Sequence, residues 1–422
     1  MTRNAANDAD MFSFFPLENP THLIFCIENS RPDDGSNVSI QAIHKETGQV
    51  TDVLFGMDRC DGIRTTPWGT VLATEETDDG AAYELLNPLS GKVYFVMDRG
   101  VPGGPAIIVD YQGNDASDGV VKRTALGTLA WEGLTVLSSG VVYYGDELRP
   151  GTDRDDVDGG ALFKFVPDVP RVDDGIIFDL EHSPFASGRN YAFRADCREG
   201  EPASLLVGEG QSGSFPQFGQ GCEIGNGSWV PVSAANARVD ADANGATGYY
   251  RPEDLHRDPV FQAPEDFPGA VRFCWANTGR VEAQNFAEVI CGVDLQPLMA
   301  DGDRATVVVN RFVEGDSEFN SMDNLAFQPV TGNLYVIEDA ANGDVWACLR
   351  DGADRGIKTD GCVRVLSVKD QSAEPTGFEF DASGTTAFLA IQHSDPDVLG
   401  DTDDIIKITG FKVTGKNGKD DD

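Results

Sequence analysis

The chain has 422 residues, of which 40% are hydrophobic and 24% are charged, which is ordinary usage for a folded globular protein. Asp and Glu number 70 against 32 Lys and Arg, so the formal net charge is −38 at neutral pH. This charge repels polyanions and excludes nucleic acid as a partner, and no stretch of about eighteen apolar residues predicts a membrane span. The 47 glycines and 22 prolines favour many turns, which is typical of an all-β protein.

Six segments with the layout of a β-hairpin follow one another along the chain. Each has a polar or acidic entry, a short β-type run, a turn with Gly or Pro and a second β-type run. In chain order they are HLIFCIENS with VSIQAIHKE (22–30 and 38–46), GIRTTPWGTVLATEE (62–76), WEGLTVLSSGVVYYGDE (131–147), RPEDLHRDPVFQAPEDFPGAVRFCWANT (251–278), DNLAFQPVTGNLYVIED (323–339) and EPTGFEFDASGTTAFLAIQH (374–393).

At about 70 residues per unit, these repeats predict a six-bladed β-propeller with loop insertions and a central metal-binding channel. A β-sandwich is the alternative, but it gives no reason for each repeat to begin with the same kind of residue. We assign residues 1–20 to an N-terminal extension, 21–412 to a single propeller domain and 413–422 to a mobile acidic tail.

The compartment is left open by the residues themselves. The first twenty residues have one Arg, several acids and no continuous apolar core, so they do not match a secretory signal peptide. Either the protein stays inside the cell or the chain is an exported protein without its leader. Cys274 with Cys291, and Cys348 with Cys362, have separations typical of hairpins, and each pair is either a disulfide or two buried thiols.

The block around Cys60 combines a thiol with carboxylates. Cys60 is followed by TPWGTVLATEE, which ends in Glu75 and Glu76. Adjacent carboxylates at a strand end point to opposite faces unless a β-bulge turns both to one side. A thiolate suits iron or zinc better than calcium or magnesium, so the three residues predict a transition-metal site. The alternative for Cys60 is an inert core thiol.

Four further repeats have an acid at the entry of a strand. Acids at equivalent positions of successive blades converge on the propeller axis, where they repel one another unless cations neutralise them. Hard oxygen ligands in that number suit calcium. Asp146, at the end of a strand, is a further ligand or a turn residue. The four entry acids are Glu132, Glu253, Asp323 and Glu374.

Arg251 stands two residues before Glu253, and a strand places residues i and i+2 on the same face. A guanidinium beside a cation-filled acidic pocket is suited to bidentate binding of a phosphate oxyanion. The alternative is a salt bridge from Arg251 to a neighbouring acid.

Together these blocks resemble the PhoX-type alkaline phosphatases, from about residue 55 to about residue 395. The blocks that carry the resemblance are Cys60 with TPWGTVLATEE, WEG with YYGDE, RPED, DNLAF with GNLYV, and EPTG with AFLAIQH. Two features depart from the family pattern: RCDGIRT, which puts Arg59 and Arg64 near Cys60, and Trp131 where a His is expected before Glu132.

The resemblance implies a channel with a cluster of ferric iron (Fe3+) and calcium (Ca2+) ions. By motif, Cys60 would bridge iron and Arg251 would hold the phosphate, while Asp323 and Asp146 match the family less closely. The family hydrolyses phosphomonoesters at alkaline pH, is periplasmic or secreted and scavenges phosphate. The glutamates that would be metal ligands by motif are Glu75, Glu76, Glu132, Glu253 and Glu374.

We therefore predict a monomeric, metal-dependent alkaline phosphatase that acts on small phosphate esters, with Arg251, Cys60 and Glu253 as its catalytic residues. Two alternatives are a calcium-dependent propeller hydrolase of the lactonase or phosphotriesterase type, which needs no thiolate, and a non-catalytic calcium-binding propeller.

Overall fold

A computed structural model describes residues 1–150, 159–198, 201–202, 225–350, 361–394 and 402–413. These residues form β-strands with very little helix, as the composition predicts. The strands of the first half are β1 (Thr2–Ala6), β2 (Ala9–Phe15), β3 (His22–Ile27), β4 (Val38–His44), β5 (Val50–Phe55), β6 (Cys60–Thr65), β7 (Val71–Glu75), β8 (Ala82–Leu85), β9 (Tyr94–Asp98), β10 (Ile107–Asp110), β11 (Val120–Lys122), β12 (Trp131–Val136), β13 (Val142–Asp146) and β14 (Leu162–Pro167).

The second half contains the one described α-helix, α1 (Ala237–Ala243). Short 3-10 turns lie at Thr124–Leu126, Leu180–His182, Pro184–Ala186, Ala234–Asn236 and Val281–Ala283. The remaining strands are β15 (Gly188–Arg198), β16 (Glu201–Pro202), β17 (Gly225–Val232), β18 (Pro252–Arg257), β19 (Val271–Asn277), β20 (Glu288–Asp294), β21 (Val307–Glu314), β22 (Met322–Phe327), β23 (Leu334–Glu338), β24 (Asp344–Cys348), β25 (Val363–Ser367), β26 (Glu374–Phe380), β27 (Thr386–Gln392) and β28 (Thr402–Thr409).

The predicted hairpins form because turn residues separate short apolar runs. Gly69 in TPWGT and Gly332 in PVTGN have φ of +83° and +73°, a conformation that glycine adopts without strain. They close the turns between β6 and β7 and between β22 and β23, whose strands pair antiparallel. Many of these strands are buried along their whole length, since each sheet is covered by its neighbours on both faces.

The strands form five sheets. The chain ends meet in one of them, ordered β1-β28-β27-β26, which closes the arrangement. The others are ordered β10-β9-β5-β4-β3-β2, β11-β8-β7-β6, β22-β23-β24-β25, and β12-β13-β14-β15-β17-β21-β20-β19-β18 with β16 on β15.

The architecture is all-β and propeller-like, but the prediction of six separate blades is wrong. Four sheets have four to six strands, whereas the fifth is a continuous sheet of ten strands. The two units expected around 131–147 and 251–278 share this sheet, because β17 pairs with both β15 and β21 and bridges them. The sequence places each hairpin correctly but contains no sign of this bridge.

Six strands nevertheless surround a central channel. β2 packs against β6, β6 against β12, β12 against β18, β18 against β22, β22 against β26 and β26 against β2. We call these six the inner strands. Each is the first strand of a predicted hairpin except β2, which lies in the segment expected to be an extension.

The N-terminal residues belong to the β-sheets. Residues 2–15 form β1 and β2 and so belong to two of the sheets, which corrects the expected N-terminal extension over residues 1–20. The acidic tail from residue 414 onward lies outside the described residues. Among the described helices, none has the length and apolar character that crossing a membrane requires.

Trp131 shows how the core supports the channel. It is fully buried, and its ring stacks on Tyr144 with the centroids 4.3 Å apart. Tyr143, on the other face of β13, stacks on Phe273 of β19 at 4.4 Å. The departure from the family pattern at Trp131 therefore supplies a core contact beneath Glu132, which follows it on β12.

Candidate metal and phosphate site

Each inner strand starts with the same local irregularity. The pairing register between the inner strand and its neighbour shifts near the start of every one, as it does at a β-bulge. In five of the six, the second residue of the strand is an acid within this shift. These five acids, which we call the inner acids, are Asp10, Asp61, Glu132, Glu253 and Asp323.

The sixth inner strand, β26, has Thr376 at its register shift instead of an acid. The Thr376 hydroxyl donates a hydrogen bond to the carboxylate of Asp10. The inner acids therefore occupy five of six equivalent positions around the channel, and a neutral donor occupies the sixth.

A second set of acids lies at the end of the neighbouring strands. At five of the six inner strands, the neighbouring strand is followed by a residue whose N–H donates to the C=O of the residue before the inner strand, over 2.7 to 3.0 Å. Two of these side chains are clearly more exposed than that of Glu253: Glu28 is 20% and Asp339 35% exposed, against 2% for Glu253. We call the four acids of this set the mouth acids: Glu28, Glu76, Glu147 and Asp339.

The inner and mouth acids approach closely in two groups. One oxygen from each of Asp61, Glu76 and Glu132 lies within 4.8 Å of the others, and the same holds for Glu132, Glu253 and Asp323. Glu132 belongs to both groups, so the two form one continuous arrangement of five carboxylates. Such an arrangement of hard oxygen atoms can hold more than one cation.

Burial and mutual repulsion raise the pKa values of these carboxylates. Burial, followed by the charges of Asp61 and Glu253, raises the pKa of Glu132 well above its usual range. Burial raises the pKa of Asp61 to about 7 and that of Glu253 to about 8, and neighbouring carboxylates add to both shifts. Burial and the charge of Glu253 also raise the pKa of Asp323. The channel therefore favours either protons or cations on these acids.

Asp254, next to Glu253, experiences the opposite effect. Its carboxylate lies 2.8 Å from Nη2 of Arg64 and 3.0 Å from Nε2 of His256. Although burial opposes the shift, His256 and the Arg64 guanidinium lower the pKa of Asp254. Arg64, which departs from the family pattern, thus neutralises Asp254. Asp254 lies beside the metal candidates but is not one of the five carboxylates.

Arg251 lies at the edge of the acids and immediately precedes β18. It is at φ +59°, a left-handed conformation that is rare for a side chain of this size and marks stored strain. Its Nη2 lies 3.1 Å from Oε1 of Glu253 and 3.4 Å from Oδ2 of Asp339, and its Nε bonds Glu147. The alternative expectation of a salt bridge to a neighbouring acid is therefore also met.

Cys60 does not provide the thiolate on which its predicted role depended. Its sulfur forms a disulfide with Cys26 of β3, and both residues are fully buried. A disulfide sulfur has no negative charge to offer a metal, so the prediction of Cys60 as a metal ligand and catalytic residue is corrected here. Cys274–Cys291 and Cys348–Cys362 are also disulfides, which resolves the alternative left open by the sequence.

Glu75 and Asp146 are also turned away from the five carboxylates. Glu75 is ion-paired with Arg99 at 2.9 Å and accepts a hydrogen bond from the N–H of Asp58. Asp146 is held by Arg238 through two bonds of 2.6 and 2.7 Å. Both carboxylates thus stabilise the entries of the inner strands, and the structure brings neither to the metal candidates.

The remaining predicted ligand, Glu374, is the first residue of β26 and belongs to neither close group. Burial, followed by the charges of Asp339 and Glu28, raises its pKa to about 8. The sequence analysis missed five of the inner and mouth acids: Asp10, Glu28, Asp61, Glu147 and Asp339. A signal was present for the last two: the acidic pairs at 75–76, 146–147 and 338–339 recur at the ends of second strands, and the second member of each pair is a mouth acid.

A model of the family described as alkaline phosphatase PhoX matches residues 44–395 of this chain. The chain belongs to the alkaline phosphatase PhoX family. The resemblance inferred from the sequence blocks is confirmed. No curated protein matches the chain.

One solved structure supports the fold of this PhoX family member, and two others have lower similarity. Pseudomonas fluorescens PhoX in complex with vanadate, a transition state analogue, is similar with a TM-score of 0.57 at 17% identity, over 96% of this chain and 89% of that one. A gluconolactonase from Xanthomonas campestris has a TM-score of 0.42 at 11% identity, over 92% of this chain and 84% of the other. The PQQ-bound aldose sugar dehydrogenase from Streptomyces coelicolor has a TM-score of 0.45 at 12% identity, over 96% of each chain.

Proposed function

We propose that this protein is a metal-dependent phosphatase that hydrolyses phosphomonoesters at alkaline pH, with cations held by Asp61, Glu76, Glu132, Glu253 and Asp323. The observation that carries the proposal is the meeting of these carboxylates beside Arg251, in a chain of the PhoX family. The vanadate complex of the Pseudomonas relative supports phosphoryl chemistry for such a protein.

The residues present fit metal cations. Oδ1 of Asp61 is buried and has no hydrogen-bond partner among the described residues, and a bound cation would satisfy it. Oxygen donors of this kind suit Ca2+ and also Fe3+, the two ions proposed here. Because the sulfur of Cys60 is engaged in a disulfide, the proposal of iron now depends on the carboxylates and on the family.

The role of Arg251 follows from how it is held. Glu147, Glu253 and Asp339 bind Nε and Nη2 of its guanidinium, which among the described residues leaves Nη1 for a phosphoryl oxygen. A preorganised guanidinium stabilises the charge that develops on the equatorial oxygens without reorganising during the reaction. Bound cations would supply Lewis-acid polarisation of the phosphoryl group and a lowered pKa for attacking water.

The location proposed is the periplasm or the exterior. Cys26–Cys60, Cys274–Cys291 and Cys348–Cys362 are disulfides, and such bonds persist in oxidising compartments. Calcium is also abundant there. We propose an exported monomer whose acidic surface maintains solubility.

The test combines elemental analysis with hydrolysis of p-nitrophenyl phosphate by protein purified without chelator. We expect bound calcium with iron, and turnover that rises from pH 7 to pH 9. Glu132→Gln removes the carboxylate shared by both close groups and should lower the metal content and reduce turnover about 100-fold or more. Glu46→Gln, at an exposed surface ion pair, is the control and should match the parent. Full activity of the metal-depleted protein would overturn the proposal.

A calcium-only hydrolase is the second candidate, and one observation favours it. The Cys26–Cys60 disulfide removes the one ligand that selects for iron, so a hard divalent cation is enough to satisfy the carboxylates. Calcium without iron, together with hydrolysis of a lactone or phosphotriester and none of a phosphomonoester, would establish this function instead.

A further inference from the structure

Several arginines surround the mouth of the channel. A cavity of about 380 Å³ beside the mouth acids is lined by Arg59, Arg149 and Arg251. A second cavity of about 410 Å³ shares Arg149 and Arg251 and adds Arg280. Acids line the same cavities, among them Glu76, Glu147 and Asp339, so an arginine can bind an incoming anion there only where its own charge is incompletely matched.

Arg149 and Arg251 are immediate neighbours because both bind the same carboxylate oxygen. Nη2 of Arg149 lies 3.2 Å from Oε1 of Glu147, and Nε of Arg251 bonds that same oxygen. They differ in accessibility: the side chain of Arg251 is 16% exposed and that of Arg149 is 47% exposed. The guanidinium of Arg251 thus lies among the acids, and that of Arg149 lies further out, at the opening of the channel.

The arginines also differ in how many carboxylates bind them. Arg59 is bridged between Glu28 and Glu76, so its charge is already matched on two sides. Arg149 has Glu147 as its one ion-pair partner among the described residues, and that oxygen is shared with Arg251. Arg149 is therefore less fully matched than Arg59 and Arg251, and of the arginines that line both cavities it is the one with capacity to bind an incoming anion.

We propose that the preferred substrates are small phosphomonoesters that carry a second anionic group, with the phosphoryl group at Arg251 and the second anion at Arg149. This inference rests on the proposed phosphatase function and adds the substrate class. Because the two guanidiniums share one oxygen of Glu147, a short spacer of two or three bonds between the anions fits best. The shared chemistry is a carboxylate or a second phosphate, both of which arginine binds through paired N–H donors.

A matched pair of substrates tests the proposal on the full chain purified with its metals. Glycerol 3-phosphate and 3-phosphoglycerate differ in that a hydroxymethyl group replaces the carboxylate. We expect kcat/KM to be about tenfold higher for 3-phosphoglycerate, mainly through a lower KM, because a charge-assisted pair forms in the bound state. Arg149→Gln should bring the ratio of kcat/KM for the two substrates to about one, while Arg149→Lys should retain part of the preference.

The control is Arg189→Gln, which removes an arginine that is 76% exposed and pairs with Asp168 on the surface. It should keep the full preference. Equal kcat/KM for the two substrates in the parent would overturn the inference while the phosphatase function stands. A preference that survives in Arg149→Gln would also overturn it. Failure to hydrolyse either substrate, or p-nitrophenyl phosphate, would overturn the proposed function itself and this inference with it.

Discussion

Nη2 of Arg251 lies 3.1 Å from Oε1 of Glu253, and the two residues flank Pro252 at the entry of β18. Arg251 precedes the strand at φ +59°, so the left-handed turn and the register shift, and not strand alternation, bring the cation beside the carboxylate. If Arg251 binds the phosphoryl group, Arg251→Ala should lower kcat/KM for p-nitrophenyl phosphate by about 100-fold or more. Elemental analysis should show that the variant keeps its metals.

Arg251→Lys keeps the charge but loses the planar fork, so it should recover a small part of the activity. The inhibition constant of inorganic phosphate is the second measurement, and it should rise in both variants. Unchanged inhibition by phosphate would mean that Arg251 holds the acids together and does not contact the substrate.

The second prediction concerns the Cys26–Cys60 disulfide. The sequence pattern assigned Cys60 the role of a thiolate ligand, whereas the structure gives it the role of a structural cross-link. In the double variant Cys26→Ser with Cys60→Ser, metal content and turnover should remain close to those of the parent. The free energy of unfolding should fall by about 2–4 kcal/mol, since the closed loop of 34 residues no longer constrains the unfolded chain.

Chemical denaturation measures that free energy, and thiol titration of the denatured, unreduced parent should find neither sulfur free. The pair Cys348→Ser with Cys362→Ser removes a disulfide of shorter separation and serves as the comparison. Loss of iron and of turnover in the first double variant alone would restore the thiolate interpretation.

The sequence predicted most of the hairpins and half of the site. Glu132, Glu253 and Asp323 were found because a repeated entry position is visible in a single chain, and Arg251 was found by its i, i+2 spacing. Asp61 was missed because strand alternation alone does not place the residue after Cys60 in the channel. Register explains the difference: a bulge determines which of two adjacent residues faces the channel, and no local pattern reveals the bulge.

The errors have a similar cause. Glu75 and Asp146 are acids at strand ends, as predicted, but their arginine partners lie 24 and 92 residues away in sequence. The bridge that joins two expected blades depends on β17, whose pairing with β21 is likewise a long-range contact. Tertiary pairing of this kind overrides what a repeat alone can indicate.

A third prediction concerns pH. In the folded chain without cations, Asp61 has a pKa of about 7 and Glu253 a pKa of about 8, above the values of 3.8 and 4.5 that these groups have when unperturbed. The folded state therefore binds protons more tightly than the unfolded state. The stability of the chelated protein should be highest near pH 4 to 5 and should fall as the pH rises through about 8.

Calorimetry from pH 5 to pH 9 in a chelator checks this trend. Glu253→Gln should reduce the proton uptake linked to folding by up to about one proton and so flatten the dependence. Restoring the metals should raise the unfolding temperature most at alkaline pH, where the carboxylates repel one another if left bare. A chelated protein that becomes more stable from pH 5 to pH 9 would contradict the prediction.

The last prediction concerns the continuous ten-stranded sheet. Lys164 of β14 is fully buried, and its Nζ donates to Oδ2 of Asp294 and to the carbonyl oxygen of Met299, each over 2.7 Å. Tyr143 and Trp229 donate to the same Asp294 oxygen. The side chains of β13, β14 and β17 are thus tied to one carboxylate of β20.

Lys164→Met should lower the free energy of unfolding by about 3–5 kcal/mol, because it leaves Asp294 buried without its cation. Adding Asp294→Leu removes the stranded charge and should recover part of the loss. Lys407→Met breaks an exposed ion pair with Glu46 and should cost about 0–1 kcal/mol. Urea denaturation of the three variants measures these values, and equal losses for Lys164→Met and Lys407→Met would show that the buried pair does not secure the sheet. The turnover of Lys164→Met below its unfolding transition should equal that of the parent, since none of these atoms contacts the channel acids.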